Sequence, residues 1–167
     1  MVYIQIMKKT ATTTKARRIE EEIHQTKPFP KVQTKDLINV IYTASWMEAQ
    51  QAHLLKPFGI SIQQYNILRI LKGMRPEPAT VKLLIERMID KNSNASRLVD
   101  KLLKKGLVAR HACKEDRRRV VVFITDGGIQ LIDRVAVLVE NNEAYKHLTE
   151  EEANQLSDLL DKMRGVE

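Results

Sequence analysis

The sequence has a single cysteine, Cys113, among its 167 residues. One cysteine excludes an intrachain disulfide and any metal site built from several cysteines. No apolar run approaches the roughly 18 residues of a membrane span, and the longest, Val120 to Ile124, has the length of a strand. The short apolar stretch at residues 1–7 precedes its basic residues, whereas a secretory signal has them in the opposite order. We therefore expect a cytoplasmic protein without a membrane span.

Patterns that would indicate catalysis or metal binding are also missing. The four histidines show no ligand spacing, and His111 with Cys113 supplies too few ligands for a zinc site. No glycine-rich phosphate loop, pair of catalytic carboxylates or Ser/His/Asp set stands out. We therefore expect that the protein is not an enzyme and holds no cofactor or metal ion. Because positive neighbours lower a thiol pKa, oxidant sensing by Cys113 stays open as an alternative role.

Positive charge is unevenly distributed along the chain. The sequence has 28 basic and 21 acidic residues, a net charge of +7. Residues 91–120 contain ten basic and three acidic residues, whereas residues 121–167 contain four basic and ten acidic residues. A basic cluster is typical of proteins that bind polyanions, although a solvated basic surface would give the same count.

The spacing of apolar residues predicts a mainly helical protein. Helices are predicted at residues 34–56, 61–73, 79–89, 93–105, 125–140 and 149–163, with a short one inside Arg18–Gln25. Polar caps are predicted at the starts of four of them, by Thr34, Ser61, Thr125 and Thr149. Gln64 and Glu152 each follow one of these caps by three residues and complete a capping box.

After Gly106 the periodicity changes from that of a helix to that of strands. Two strands are predicted at residues 107–111 and 120–124, separated by a polar, basic hairpin tip. Three adjacent arginines lie at this tip: Arg117, Arg118 and Arg119. Arginine is attracted to the negative potential of a narrow minor groove, so the hairpin is predicted to be a DNA-contacting wing. Asp116 would orient one guanidinium by a charge-assisted hydrogen bond, and a flexible basic loop is the alternative.

A helix, a turn, a second helix and a basic hairpin follow in the order of a winged helix-turn-helix. The second helix, residues 93–105, has an apolar stripe formed by Ala95, Leu98, Val99, Leu102 and Leu103. Its polar side is predicted to enter the major groove with Ser93, Asn94, Ser96, Arg97, Lys101 and Lys104. Arg97 can bind guanine O6 and N7, and Lys101 and Lys104 suit phosphates. An ordinary amphipathic surface helix is the alternative interpretation.

The remaining helices favour a dimer. A monomer of this size would not cover the apolar sides of helices 34–56, 125–140 and 149–163, so we expect them at a two-fold interface. The predicted fold is mainly α, in the α+β class, with a winged helix-turn-helix core, a two-stranded β-wing and flanking dimerisation helices. The predicted segments are a basic arm at 1–32, an N-terminal dimerisation helix at 33–60, a DNA-binding domain at 61–124 and C-terminal dimerisation helices at 125–164.

Over about residues 33–164 the sequence resembles the MarR family of winged-helix transcriptional regulators. Residues 91–108, KNSNASRLVDKLLKKGLV, resemble the family's recognition helix and following strand. The wing is similar to the family signature of Asp-x-Arg, five residues and Leu-Thr-x-x-Gly. That signature reads here Asp116-Arg117-Arg118, residues 119–123 and Ile124-Thr125-Asp126-Gly127-Gly128. The sequence departs from the family in its isoleucine for leucine, its bulkier Arg119 and its longer basic N-terminal arm.

The resemblance implies a homodimer that binds double-stranded operator DNA and releases it when a small ligand or an oxidant acts. It places Ser93, Asn94, Ser96 and Arg97 at groove-reading positions, and Arg117 or Arg118, paired with Asp116, in the minor groove. In this family the effector pocket lies between the dimer helices and the winged core. Our candidates there, for a phenolic or aromatic ligand, are Tyr42, Trp46, His53 and Tyr65. A role in the core or the interface is the alternative for each.

These features together predict a homodimeric transcriptional regulator, a repressor that binds pseudo-palindromic operators and is released by a small ligand. Two alternatives stay open: a DNA-binding architectural protein without operator specificity, and a winged-helix module that binds other proteins. The arginine-rich wing argues against the protein-binding module.

Overall fold

The computed structural model describes residues 17–112, 120–140 and 147–166. The predicted tip of the wing, with Cys113, Asp116, Arg117, Arg118 and Arg119, lies outside these residues, as does the first half of the predicted arm. The described part is mainly helical with a small antiparallel sheet, which confirms the predicted fold class. None of its helices is long and apolar enough to cross a membrane.

The helices and strands follow one another in the order of a winged helix. They are α1 (Ile19–Glu22), α2 (Val32–Leu55), α3 (Ile62–Gly73), β1 (Ala79–Thr80), α4 (Val81–Arg87), α5 (Ala95–Lys104), β2 (Val108–Ala112), β3 (Val120–Ile124), α6 (Asp126–Glu140) and α7 (Glu150–Met163). A 3₁₀ turn at Lys56–Phe58 lies between α2 and α3. The chain divides into two compact units, Met1–Trp46 and Met47–Glu167.

In the first unit, α1 is joined to α2 by two polar contacts. Lys35 Nζ forms an ion pair with Glu20 Oε1 over 2.5 Å, and the Tyr42 hydroxyl donates a hydrogen bond to Glu22 over 2.8 Å. The hydrogen bond from Lys35 lowers the pKa of Glu20, and the hydrogen bond to Glu22 raises the pKa of Tyr42.

The predicted start of α2 at Thr34 is wrong, because the helix begins at Val32. The carbonyl of Lys31 already accepts hydrogen bonds from the backbone N–H groups of Thr34 and Lys35. Thr34 therefore lies inside the first turn, where a capping hydroxyl has no orphan N–H group to satisfy.

The core of the second unit takes a side chain from each of five elements. Leu68 of α3, Leu84 of α4, Val99 of α5, Val122 of β3 and Val135 of α6 are all completely buried in one cluster. Burying such a side chain contributes about 1.5–3 kcal/mol. This shared core fixes α5 against the sheet and so positions the polar surface of α5.

The sheet has three antiparallel strands in the order β1-β3-β2. β2 pairs with β3 from Val108 opposite Ile124 to Ala112 opposite Val120, so the predicted strand 107–111 lies one residue later. The prediction of two strands is therefore incomplete, because the sheet contains a third. The missing strand is β1, which the sequence analysis assigns to helix 79–89.

Ala79 and Thr80 are not part of the predicted helix, for two reasons. Ala79 pairs with Val122 and is completely buried, and Thr80 pairs with Val121. The Thr80 side chain also accepts a hydrogen bond from the Leu83 N–H, so it caps α4 and the helix begins at Val81. Pairing with a strand far along the chain thus overrides the local helical pattern.

Three of the predicted caps are confirmed. Ser61 and Gln64 form a complete capping box at α3, and Thr149 and Glu152 form another at α7. The Thr125 hydroxyl accepts a hydrogen bond from the backbone N–H of Gly128 at the start of α6. The hydrogen bonds from Thr149 to its carboxylate lower the pKa of Glu152.

Candidate nucleic-acid interface

Helix α5 separates its apolar and polar residues onto opposite sides. Ala95, Val99 and Leu102 are buried in the core. The four helix residues predicted to face a groove are all exposed: Ser96, Arg97, Lys101 and Lys104. Leu103, which the predicted apolar stripe includes, is 39% exposed, so it lies at the edge of the stripe. The helix therefore presents three cations and a hydroxyl on a surface that the core holds in place.

The predicted start of this helix at Ser93 is two residues early. α5 begins at Ala95, and its N-cap is Asn94, whose side-chain oxygen accepts a hydrogen bond from the Arg97 N–H over 3.1 Å. Ser93 lies in the preceding turn, where its hydroxyl contacts Asp90 Oδ2 over 2.6 Å. Both residues stay at the edge of the predicted surface, but neither is part of the helix.

The turn between α4 and α5 is held by side chains on either side of it. Asn66 of α3 accepts a hydrogen bond from the Ile89 N–H over 3.1 Å. Asp90 accepts one from the Asn92 N–H over 3.0 Å as well as the one from Ser93. The bond from the Ser93 hydroxyl, followed by that from the Asn92 N–H, lowers the pKa of Asp90. Asp90 is therefore ionised at neutral pH, and the turn has a defined conformation.

Two further contacts attach α5 to its neighbours, and the sequence analysis misses both. Asp100 Oδ1 forms an ion pair with Arg110 Nη1 of β2 over 2.6 Å. Lys105 Nζ donates a hydrogen bond to the Gly59 carbonyl over 2.7 Å. Each contact joins residues from different elements, so local periodicity gives no sign of it. Lys105 thus has a structural partner, whereas its neighbour Lys104 faces outward.

The base of the wing is ordered by backbone pairing and by one ring contact. His111 of β2 and Phe123 of β3 meet edge to face, with ring centroids 5.4 Å apart. β2 then leads to residues 113–119, which hold the predicted wing side chains and lie outside the described residues. Within the described part, no group of three His, Cys, Asp or Glu residues could hold a metal ion.

The joint between β3 and α6 explains the glycine at the end of the wing signature. The Thr125 hydroxyl donates a hydrogen bond to the Gly106 carbonyl over 2.7 Å, and the Thr125 N–H donates to the Leu107 carbonyl over 3.2 Å. Gly128 packs against Leu107 so closely that a β-carbon would lie 2.3 Å from its carbonyl oxygen. Thr125 and Gly128 therefore hold the start of α6 against the residues that follow α5.

The four candidate effector residues have different surroundings. Tyr42 is hydrogen-bonded to Glu22, and Trp46, one turn later on α2, is 40% exposed. His53 is exposed near the end of α2. Tyr65 is buried in the core, with the Arg69 guanidinium 6.0 Å from its ring centre. Tyr42 and Trp46 lie in the first unit, and His53 and Tyr65 lie in the second.

A model of the MarR family matches residues 60–120. The matched residues run from the start of α3 through β2 to the first residue of β3, so they contain the turn at Asp90 and the whole of α5. The candidate interface thus lies entirely within the part of the chain that carries the family's features.

Solved structures share the fold of this chain beyond the matched residues. A MarR transcription factor from Planctomyces limnophilus is 27% identical, with 83% of this chain and all of that chain covered and a TM-score of 0.61. A MarR-like protein from Bacillus cereus is 22% identical, with 81% and 98% covered and a TM-score of 0.69. A MepR mutant from S. aureus, bound to an oligodeoxyribonucleotide, is 24% identical, with 76% and 94% covered and a TM-score of 0.53.

Proposed function

We propose that this protein is a transcriptional repressor that binds operator DNA as a homodimer and releases it when a small ligand binds. The observation that carries the proposal is the position of Arg97, Lys101 and Lys104. All three are exposed on α5, whose opposite side is anchored in the core of the second unit. A helix fixed in this way can enter the major groove without reorganising.

The three cations have different expected roles. Arg97, in the first turn of α5, presents the fork of N–H donors that binds guanine O6 and N7. Lys101 and Lys104 lie in the last turn and suit phosphates on the rim of the groove. The S. aureus MepR mutant that shares this fold is bound to an oligodeoxyribonucleotide, which supports DNA as the ligand class here.

Exposed apolar residues support the homodimer. Leu37 and Ile41 of α2 are 53% and 61% exposed, one turn apart. On α7, Leu156, Leu159 and Met163 are 46%, 64% and 56% exposed and recur with helical spacing. Each of these exposed apolar stripes marks an interaction site on its own helix, and a second copy of the chain would bury it. A two-fold dimer would read a pseudo-palindromic operator.

Release by a small aromatic ligand is the regulatory part of the proposal. Trp46 is 40% exposed in the single chain, so its ring is accessible to a ligand. A thermal-shift screen of phenolic and aromatic acids should raise the melting temperature of the wild type by several degrees at saturation. The shift should be smaller for Trp46→Ala, and equal shifts for the two proteins would remove Trp46 from the ligand site.

The DNA-binding proposal is tested by fluorescence anisotropy with the full chain over a series of salt concentrations. The probes are the duplex immediately upstream of the protein's own gene and a scrambled duplex of equal composition. An operator-binding regulator should prefer the first by about 10³-fold, with affinity falling steeply as salt rises. Equal binding to both probes would favour an architectural protein. No binding to either at low salt would exclude a DNA-binding role.

A further inference from the structure

The turn before α5 contains two side chains whose hydrogen bonds inside the protein limit what they can offer to DNA. Asp90 is ionised, and a carboxylate can only accept hydrogen bonds. The 2.6 Å contact between Ser93 Oγ and Asp90 Oδ2 is therefore donated by the Ser93 hydroxyl. A hydroxyl has one proton, so the Ser93 oxygen has only lone pairs left for an outside partner.

Asn94 is restricted in the opposite sense. The Arg97 N–H can only donate, so the atom that faces it over 3.1 Å must be the side-chain oxygen of Asn94. The amide nitrogen of this exposed side chain then points away from the cap with two N–H groups. Two neighbouring residues thus present opposite polarities, with an acceptor at 93 and a donor at 94.

We propose that this arrangement makes Ser93 a reader of exocyclic amino groups and Asn94 a donor to base or phosphate oxygens. The inference rests on the proposed function, since it assumes that the start of α5 approaches a major groove. There the amino groups are N6 of adenine and N4 of cytosine, and the acceptors are guanine O6 and N7, adenine N7 and thymine O4. Asp90 does not touch DNA and acts as a positioning residue for Ser93.

Two variants of Asp90 separate the effect of the hydrogen-bond polarity of Ser93 from the effect of the negative charge of Asp90. Asp90→Asn and Asp90→Ala remove the same negative charge, so both should raise affinity for all duplexes equally. In Asp90→Asn the single amide oxygen must face the Asn92 N–H, which can only donate, so the amide nitrogen donates to Ser93 Oγ and the Ser93 hydroxyl proton is released to donate outward. In Asp90→Ala the hydroxyl rotates freely and can donate as well as accept, so discrimination at one base position should fall.

The experiment begins with selection of duplexes from a randomised library by the full chain. Each adenine in the selected site is then replaced by purine and each cytosine by 2-pyrimidinone, which deletes single amino groups. At one position the deletion should weaken wild-type binding about 5- to 10-fold, as expected for one hydrogen bond. That loss should shrink in Asp90→Ala and vanish in Asp90→Asn, where Ser93 donates outward, and in Ser93→Ala, where the hydroxyl is absent. Thermal melting should show that all variants remain folded.

The outcomes distinguish the inference from the function on which it rests. If the wild type selects a site but Ser93→Ala keeps the full loss for every amino deletion, Ser93 is not the reader. If Asp90→Asn keeps the full loss of the wild type, the hydrogen bond from Ser93 to Asp90 does not set polarity. In both cases the proposed function stands and the inference fails. If the wild type selects no sequence or binds no duplex at low salt, the proposed operator binding fails, and the inference with it.

Discussion

A β-carbon at Gly128 would lie 2.3 Å from the carbonyl oxygen of Leu107 and 2.7 Å from the Ile124 side chain. The Leu107 carbonyl cannot move away freely, because it accepts the hydrogen bond of the Thr125 N–H. Contact between these two backbones attaches α6 to the end of α5 and to the strand that follows it.

Replacing Gly128 by alanine should therefore destabilise the fold. Overpacking against a fixed backbone costs about 1–3 kcal/mol of the free energy of unfolding. Gly127→Ala is the matched control, because its β-carbon would meet nothing closer than 3.7 Å on an exposed helical position. The control should stabilise the helix by about 0.5–1 kcal/mol. Chemical denaturation measures both, and equal stability of the two variants would contradict the packing described here.

Removal of the positive charge should weaken DNA binding at Lys104 and lower the free energy of unfolding at its neighbour Lys105. Lys105→Met breaks the hydrogen bond to the Gly59 carbonyl and should lower the free energy of unfolding by about 0.5–1.5 kcal/mol. Lys104→Met should leave stability nearly unchanged and weaken DNA binding instead. Denaturation and anisotropy on the same protein samples separate the two effects. A stable Lys105→Met variant with DNA affinity as poor as that of Lys104→Met would mean that both lysines contact phosphate.

The contact between Asp90 and Ser93 can be tested without DNA, by following the Asp90 carboxyl carbon in an NMR pH titration. In the wild type its pKa should lie below the ordinary value of 3.8, because the folded state hydrogen-bonds the carboxylate. Since the folded pKa is lowered, the contribution of this contact to stability is present above pH 3.8 and is lost as pH falls further. Ser93→Ala should raise the pKa toward 3.8, whereas Ser96→Ala should not change it. An unchanged pKa in Ser93→Ala would show that the hydroxyl does not donate to Asp90.

Local features were predictable from the sequence, and contacts between distant residues were not. The capping boxes of Ser61 with Gln64 and Thr149 with Glu152 depend on residues three apart, so their pattern is visible in the sequence. Strand β1 escapes prediction because Ala79 becomes a strand residue only by pairing with Val122. A two-residue strand carries too little periodicity to compete with the helix that follows it.

In the candidate site, too, local features were predictable from the sequence and contacts between distant residues were not. The exposure of Arg97, Lys101 and Lys104 follows from the 3.6-residue period of α5 and was predicted. The ion pair of Asp100 with Arg110 joins a helix to a strand and was not. The apolar pattern predicts a helix from Ser93, but the helix begins after Asn94, which is its N-cap, and the Ser93 hydroxyl is bonded to Asp90. Where two good capping residues follow one another, the conformation of the preceding turn decides which of them becomes the N-cap.

The apolar surface of α7 predicts that a charge there prevents dimerisation. Leu159→Glu places a carboxylate on a side chain that is 64% exposed in the single chain. Two copies of a buried leucine at about 1.5–3 kcal/mol each correspond to a dissociation constant raised roughly 100-fold or more. Ser157→Glu, exposed on the opposite side of α7, is the control and should remain dimeric. Analytical ultracentrifugation decides, and a dimeric Leu159→Glu variant would place the interface elsewhere.

The central claim is that α5 reads DNA, and a comparison of Arg97→Ala with Lys104→Ala tests it most directly. Both variants, the wild type and a Lys162→Ala control outside the matched residues are titrated against the selected site, its single-base variants and a scrambled duplex. Arg97→Ala should lose about 1–3 kcal/mol of discrimination at one guanine, because the contact of Arg97, unlike that of Lys104, reads a base edge. Lys104→Ala should weaken binding to all duplexes alike and reduce the salt dependence by about one counterion. If Arg97→Ala weakens every duplex equally, or if neither variant differs from Lys162→Ala, α5 is not the element that reads the operator.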